Sequence, residues 1–172
     1  MEGARIATET DVHVIAEMAQ RCRSETARQR RGIMLLLTGQ TSDRSPEAVL
    51  EEIRSPEHLV LVGTYDEVPV GFAVARLESL HDGSRLARLH EIYVEPDARG
   101  VGVGGALMLG VLRWAAEQDC VGIDARVLPG DREAKNFFER HGLTAREIVV
   151  HREVPSFEEL RILWPDEHDG PS

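Results

Sequence analysis

The chain has 172 residues, 42% of them hydrophobic, enough for one core of ordinary size, so a single principal domain is expected. A formal net charge of −10 excludes a general nucleic-acid binder, which needs a basic footprint, and no apolar run reaches the about 18 residues of a membrane span. Cys22 and Cys120 stand in no CxxC or metal-ligand spacing and Met1-Glu-Gly-Ala-Arg-Ile6 has no export signal, so a reducing cytoplasm and no metal are expected.

Charge is uneven along the chain. Residues 21–31 hold Arg21, Arg23, Arg28, Arg30 and Arg31 against Glu25, and residues 153–172 hold six acids against Arg161. Each reads first as a solvated face. The arginines also suit an anionic ligand, while the acidic whole favours cationic small molecules.

In chain order, Ala4–Ala7 reads as a short strand. Thr10 is placed to cap a helix over 11–30, with Val12, Ile15, Ala16 and Ala19 on one face. Gly32 interrupts it, Ile33–Leu37 is an apolar turn (helix or core loop), and Thr38–Arg44 is a polar connection. Ser45-Pro46-Glu47 supplies a cap, a first-turn proline and a dipole-matched acid for a helix to about Arg54. His58–Thr64 and Val68–Leu77 form a hairpin around Tyr65-Asp-Glu67, and Leu86–Val94 is a third strand after the His81–Ser84 turn. Gly104–Gln118 is a helix apolar almost all round, which implies burial on most sides. Val121–Val127 is a strand, and Asp131 caps a helix over Arg132–His141 that Gly142 stops. Leu143–Val154 is expected as a last strand. Ser156–Glu159 has capping-box spacing for a short helix before a disordered tail. Antiparallel hairpins followed by alternating strands and helices make an α/β (α+β) fold with a mixed sheet and helices on both faces.

The stretch 94–108, VEPDARGVGVGGALM, spends Gly100, Gly102, Gly104 and Gly105 at the start of an apolar helix, although glycine costs about 1 kcal/mol per helical position. Gly100-x-Gly102-x-x-Gly105, with Asp124 beyond, fits the dinucleotide fingerprint. However, Glu95–Arg99 intervene between strand and first glycine, and too little chain follows for a doubly wound sheet. A nucleotide P-loop needs Lys-Ser/Thr where Gly105-Ala106 stands. Tight packing alone explains one or two of these glycines. A pyrophosphate lying against bare backbone explains them all: a first helical turn offers unpaired N–H groups and partial positive charge, and Arg99 adds a cation.

Arg99-Gly-Val-Gly102-Val-Gly104 resembles the Arg/Gln-x-x-Gly-x-Gly/Ala motif of the GCN5-related N-acetyltransferase (GNAT) superfamily, with Val94-x-Pro96 ahead of it. Ala134-Lys-Asn-Phe-Phe-Glu-Arg-His-Gly-Leu143 resembles that family's second region, "A-x-x-F-Y-E-K-x-G-F". The resemblance covers residues 4–154 and implies an acetyltransferase domain over 1–154, with 155–172 as a short helix and acidic tail. It implies a mostly antiparallel sheet of six to seven strands, flanked by about four helices and splayed between the fourth and fifth strands. It implies acetyl-coenzyme A as cofactor and direct acetyl transfer to an amine of a small molecule or peptide, with a homodimer as a family habit. Backbone at Ile92, Tyr93 and Val94 would pair with the pantetheine arm. Arg99 and the amides of Gly100, Val101, Gly102, Val103, Gly104 and Gly105 would hold the pyrophosphate, with Asp131, Lys135 and Phe138 also lining the coenzyme.

For the base, strand alternation puts Arg88, His90, Ile92 and Val94 on one face and Leu89, Glu91 and Tyr93 on the other. His90, whose ordinary pKa suits proton transfer near neutrality, and Glu91 are both candidates. The family's thiolate-protonating tyrosine aligns with Phe138, which has no proton to give, and Asp131 replaces an asparagine that often touches the pantetheine arm. The first departure leaves a second reading open, a non-catalytic acyl-coenzyme A binder on the same fold. Residues 21–47 and 77–85 would meet the acceptor.

Overall fold

Alternation along the central hairpin decides how the sheet is dressed. In the computed structural model, which describes residues 1–38 and 44–163, β2 (His58–Tyr65) and β3 (Val68–Ser79) turn Val60, Val62, Phe72 and Val74 to one side. Leu59, Leu61, Ala73 and Ala75 turn to the other. The turn at Asp66 and Glu67 takes positive φ at both residues, 47° and 66°, as a tight two-residue hairpin requires.

Around this hairpin lie β1 (Glu2–Ile6), antiparallel to β2, and β4 (Arg85–Val94), antiparallel to β3. β5 (Cys120–Ala125) runs parallel to β4 and completes a five-stranded sheet in the order β1-β2-β3-β4-β5. One face is covered by α1 (Val12–Arg28) and α3 (Pro46–Arg54) through Ile15, Met18, Ala19 and Val49. The other is covered by α4 (Val103–Glu117) through Val103, Leu107, Met108 and Val111. A short α2 (Gly32–Thr38) follows α1, α5 (Arg132–Arg140) follows β5, and α6 (Phe157–Leu163) lies near the end.

The caps at Ser45 and Asp131 are present: Ser45 accepts from the Ala48 N–H at 3.3 Å and Asp131 from the Ala134 N–H at 2.9 Å. The first helix is entered differently from expectation. Asp11, not Thr10, organises the entry, accepting from the Thr8 N–H at 2.8 Å while held by Arg5 at 2.7 Å.

The sheet has five strands, not six or seven, because Leu143–Val154 forms none among the described residues. Residues 143–156 take no regular structure, and Ile148, Val149, Val150 and Val154 are all exposed. The segment meets β5 through Arg146, which donates to Asp124, but no backbone ladder forms. High β-propensity makes a strand only where an edge takes up its N–H and C=O groups. The expected helices number six among the described residues, since the turn 33–37 and the 156–159 signal both become short helices. The expected polar connection at 39–43 and the tail from 164 lie outside the described residues.

Candidate active site

Two irregularities of β4 create a cleft. The ladder with β5 ends at Leu89 and Ala125, so the β5-facing backbone from His90 to Val94 is left without a strand partner: the expected splay. On its other side β4 is matched to β3 as Glu91 with Val74 and Leu89 with Ala75, which leaves His90 as an extra residue, a β-bulge. The bulge corrects the expected alternation. Leu89 packs with Ile92 and Val94 in the α4 core, Tyr93 lies in the α1–α3 core, and Glu91 meets Arg44 ahead of α3. A strict period of two cannot survive one inserted residue. His90 and Glu91 consequently both line a cavity of 190 Å³ shared with Cys22 and Thr26 of α1, Leu35 of α2, Arg126 and Phe138.

The two base candidates differ in environment. Glu91 is buried and held by Arg44, which also donates to Glu52; burial raises the Glu91 pKa against the pull of that guanidinium. His90 is half-buried and makes no hydrogen bond among the described residues. Burial, with the charges of Arg44, His58, Arg76 and Arg88 behind it, holds its pKa down at about 4, so it is a neutral imidazole at ordinary pH. Cys22 also faces the cavity, but burial pushes its thiol up to about 12.

The glycine bend follows the splay. Gly100 and Gly102 sit at φ 84° and 99°, a backbone region that favours glycine, and Gly102 caps α4. The N–H groups of Val101, Gly102, Val103, Gly104 and Gly105 meet no acceptor among the described residues and cluster at the positive end of α4. The Val103 side chain is buried in the core, leaving only its amide to the bend. Gly104 lies against the ring of Phe137, where an added Cβ would come within 3.2 Å. Arg99, at the start of the bend, has partners within the fold. It donates to the Val94 carbonyl at 3.0 Å and to Glu25 at 2.7 Å, and lies 5.7 Å from the centre of the Tyr93 ring.

Phe138 is buried in the cleft wall, where it offers no hydroxyl. Asp131 both caps α5 and accepts from Gln29, just past the end of α1, at 3.0 Å. Arg126 donates to the Thr38 carbonyl at 3.3 Å, a second tie between the β5–α5 loop and the helical arm. Lys135 lies on the outer surface, paired with Glu139 at 2.8 Å, away from the cavity. Arg44, Gln29 and Arg126 belong to the site and carried no local signal, because each acquires its role from a partner distant in sequence. The expected arginine cluster is also partly spent internally: Arg21 pairs with Glu95 at 2.7 Å.

The two motifs implied a splayed sheet, and the β4–β5 ladder does end at Leu89 and Ala125; the bulge at His90 was not among their implications. The family model described as Acetyltransferase (GNAT) family matches residues 19–143. The chain belongs to the GNAT family. An uncharacterized N-acetyltransferase of Methanocaldococcus jannaschii is 30% identical over 83 residues, 47% of this GNAT chain and 37% of that relative, so the match spans well under half of the relative's length. Among solved structures, a protein of Bacillus halodurans superposes with a TM-score of 0.75 at 14% identity, covering 88% of this chain and 99% of that one. AAC(6')-Iy in complex with the bisubstrate analogue CoA-S-monomethyl-acetylneamine gives 0.70 at 19% identity, covering 91% and 99%. An aminoglycoside acetyltransferase from an uncultured soil metagenomic sample, in complex with sisomicin, gives 0.67 at 15% identity, covering 90% and 96%. These likenesses establish the GNAT fold over nearly the whole chain. No helix among the described residues is long and apolar enough to cross a membrane.

Proposed function

We propose that this GNAT chain is an N-acetyltransferase that binds acetyl-coenzyme A and transfers its acetyl group directly to a primary amine of a small molecule or peptide. The observation that carries this reading is the run of free amides from Val101 to Gly105 at the start of α4, beside an unpaired strand edge. Such a bend fits a pyrophosphate, and the open β4 edge at Ile92–Val94 fits an extended amide-bearing arm. When bound, the coenzyme supplies the activated acetyl thioester.

The residues divide the remaining work. Gly100 and Gly102 set the bend, and Arg99 fixes it to α1 through Glu25 instead of meeting phosphate itself. His90, neutral and uncommitted, takes the proton from the amine; Glu91 positions Arg44 beneath the cleft. Cys22 stays protonated because burial raises its pKa, which favours direct transfer over a thiol-borne acyl group. Phe138 excludes water and leaves the departing sulfur to be protonated by solvent. The two half-buried, unbridged cysteines suit a reducing cytoplasm. The exposed apolar side chains Ile148, Val149, Val150, Val154, Phe157, Ile162 and Leu163 support a homodimer.

Calorimetric titration with acetyl-coenzyme A and a thiol-release assay over an amine panel test the reading, and absence of coenzyme binding at high micromolar concentration overturns it. Phe138 favours one second reading, a coenzyme binder without catalysis. Phe138→Tyr separates the two: an enzyme lacking its acid speeds up by about 10-fold or more, whereas a pure binder remains silent.

A further inference from the structure

The cleft does not share the acidic balance of the chain as a whole: among the described residues, its lining sets two guanidiniums, Arg88 and Arg126, against two carboxylates, Glu91 and Asp131. Glu91 is taken by Arg44, while Asp131 is taken by its own helix cap and by Gln29. Of the guanidinium groups that line it, Arg88 is matched by Glu78 at 2.5 Å and Asp124 at 3.7 Å. Arg126 has no carboxylate partner among the described residues, only the Thr38 carbonyl at 3.3 Å. Asp131, whose partners are neutral amides, keeps its negative charge, and Arg126, whose partner is a neutral carbonyl, keeps its positive charge. The cleft thus suits a small molecule that carries a carboxylate beside its amine better than a polycation.

Size points the same way. A cavity of 190 Å³ is small beside the roughly 300–1,000 Å³ that holds a drug-sized ligand, and Leu35, Leu36 and Phe138 make much of its wall apolar. We propose that the acceptor is a small primary amine carrying a carboxylate, an amino-acid-like molecule whose carboxylate is bound by Arg126. This rests on the acetyl-transfer reading above. The amine nitrogen forms the new C–N bond as the thioester C–S bond breaks, with the bonding pair leaving on sulfur. The proton shed by nitrogen passes to His90 and on to solvent, and sulfur takes its own proton from water. Arg126 is here a binding residue, and its effect belongs in KM.

The test uses the full chain and α-amino acids, each beside its carboxamide, with spermidine and kanamycin as cationic comparators. At least one amino acid should surpass its carboxamide by about 10- to 100-fold in kcat/KM, as expected for one charged hydrogen-bonded contact. Arg126→Gln should erase that preference through KM. The same substitution should weaken equilibrium binding of the amino acid to the coenzyme-saturated protein by a similar factor, with the coenzyme dissociation constant unchanged. Arg126→Lys should retain part of the preference, which separates loss of charge from loss of fold. A preference for carboxamides or for the polycations, or a preference that survives Arg126→Gln, overturns the inference and leaves acetyl transfer standing, whereas coenzyme binding without turnover of any amine overturns both. Failure to bind coenzyme overturns both.

Discussion

Arg44, immediately ahead of α3, sets its guanidinium against the carboxylate of Glu91 on β4, with side chains only 2% and 7% exposed. A buried pair of this kind gains little over well-packed apolar residues, but breaking it strands a charge. Arg44→Met should therefore cost about 3–5 kcal/mol, and adding Glu91→Leu should recover part of it, with the remainder regained only when Glu52, the second partner of Arg44, is also made neutral. Denaturant titration of the variants checks this.

Gly102 holds φ 99°, and a Cβ there would come within 3.0 Å of the Glu2 side chain. Gly102→Ala should cost about 1–2 kcal/mol in stability and turn the amides of the bend out of line. Coenzyme affinity should fall by about 10-fold or more, as read by calorimetry, while circular dichroism stays unchanged. Gly100→Ala, where no atom lies within 4 Å of an added Cβ, should show the φ cost alone.

His90 titrates near 4 in the folded chain, below its ordinary 6.5. Between these values an unfolded chain takes up a proton that the folded one refuses. Its contribution to stability is full above pH 6.5 and is lost progressively as pH falls toward 4, on the order of 3 kcal/mol. His90→Gln should flatten that part of the stability profile. As loss of a general base, it should lower kcat/KM by about 10²- to 10⁴-fold. In the unaltered protein, this histidine should produce no acid limb near pH 6.5 in the rate profile.

Asp11 behaves as a depressed acid, held at about 2 chiefly by its hydrogen bonds with Arg5. Its contribution, about 2 kcal/mol, is present above pH 4 and fades as pH drops toward 2. Asp11→Asn should lose that amount at pH 7 and nothing further at pH 2, measured by thermal melts across the range.

Ile148, Val149, Val150, Val154, Phe157, Ile162 and Leu163 are exposed, and α6 buries none of its residues. A seven-residue helix does not hold in water unaided, so a partner surface is expected. Light scattering should find the whole chain dimeric and a chain ended at residue 144 monomeric.

Elements governed by near neighbours were legible in the residues themselves. Ser45-Pro46-Glu47, the Asp66–Glu67 turn and the Asp131 cap each depend on groups within a few positions, and the glycine bend carries its reason in its own composition. What escaped was set at a distance. The bulge at His90 arises from how β3 meets β4, and the pairs Arg44–Glu91, Gln29–Asp131 and Thr38–Arg126 join residues 47, 102 and 88 apart. Leu143–Val154 failed although its β-branched pattern was real: no backbone ladder joins it to the open outer edge of β5, which it meets through the Arg146–Asp124 pair.

Because β4 holds one residue more than β3 can match, position 90 is where the strand can be shortened without changing its register. Loss of His90 would leave Leu89 opposite Ala75 and Glu91 opposite Val74 in plain alternation, with Tyr93 still toward α1 and Ile92 and Val94 still toward α4. Both hydrophobic layers would survive, whereas loss of any residue from Glu91 to Tyr93 would disturb them. Descendants of this chain are thus free to rewrite the chemistry at the mouth of the splay, by replacement or by deletion, on a scaffold that stays as it is.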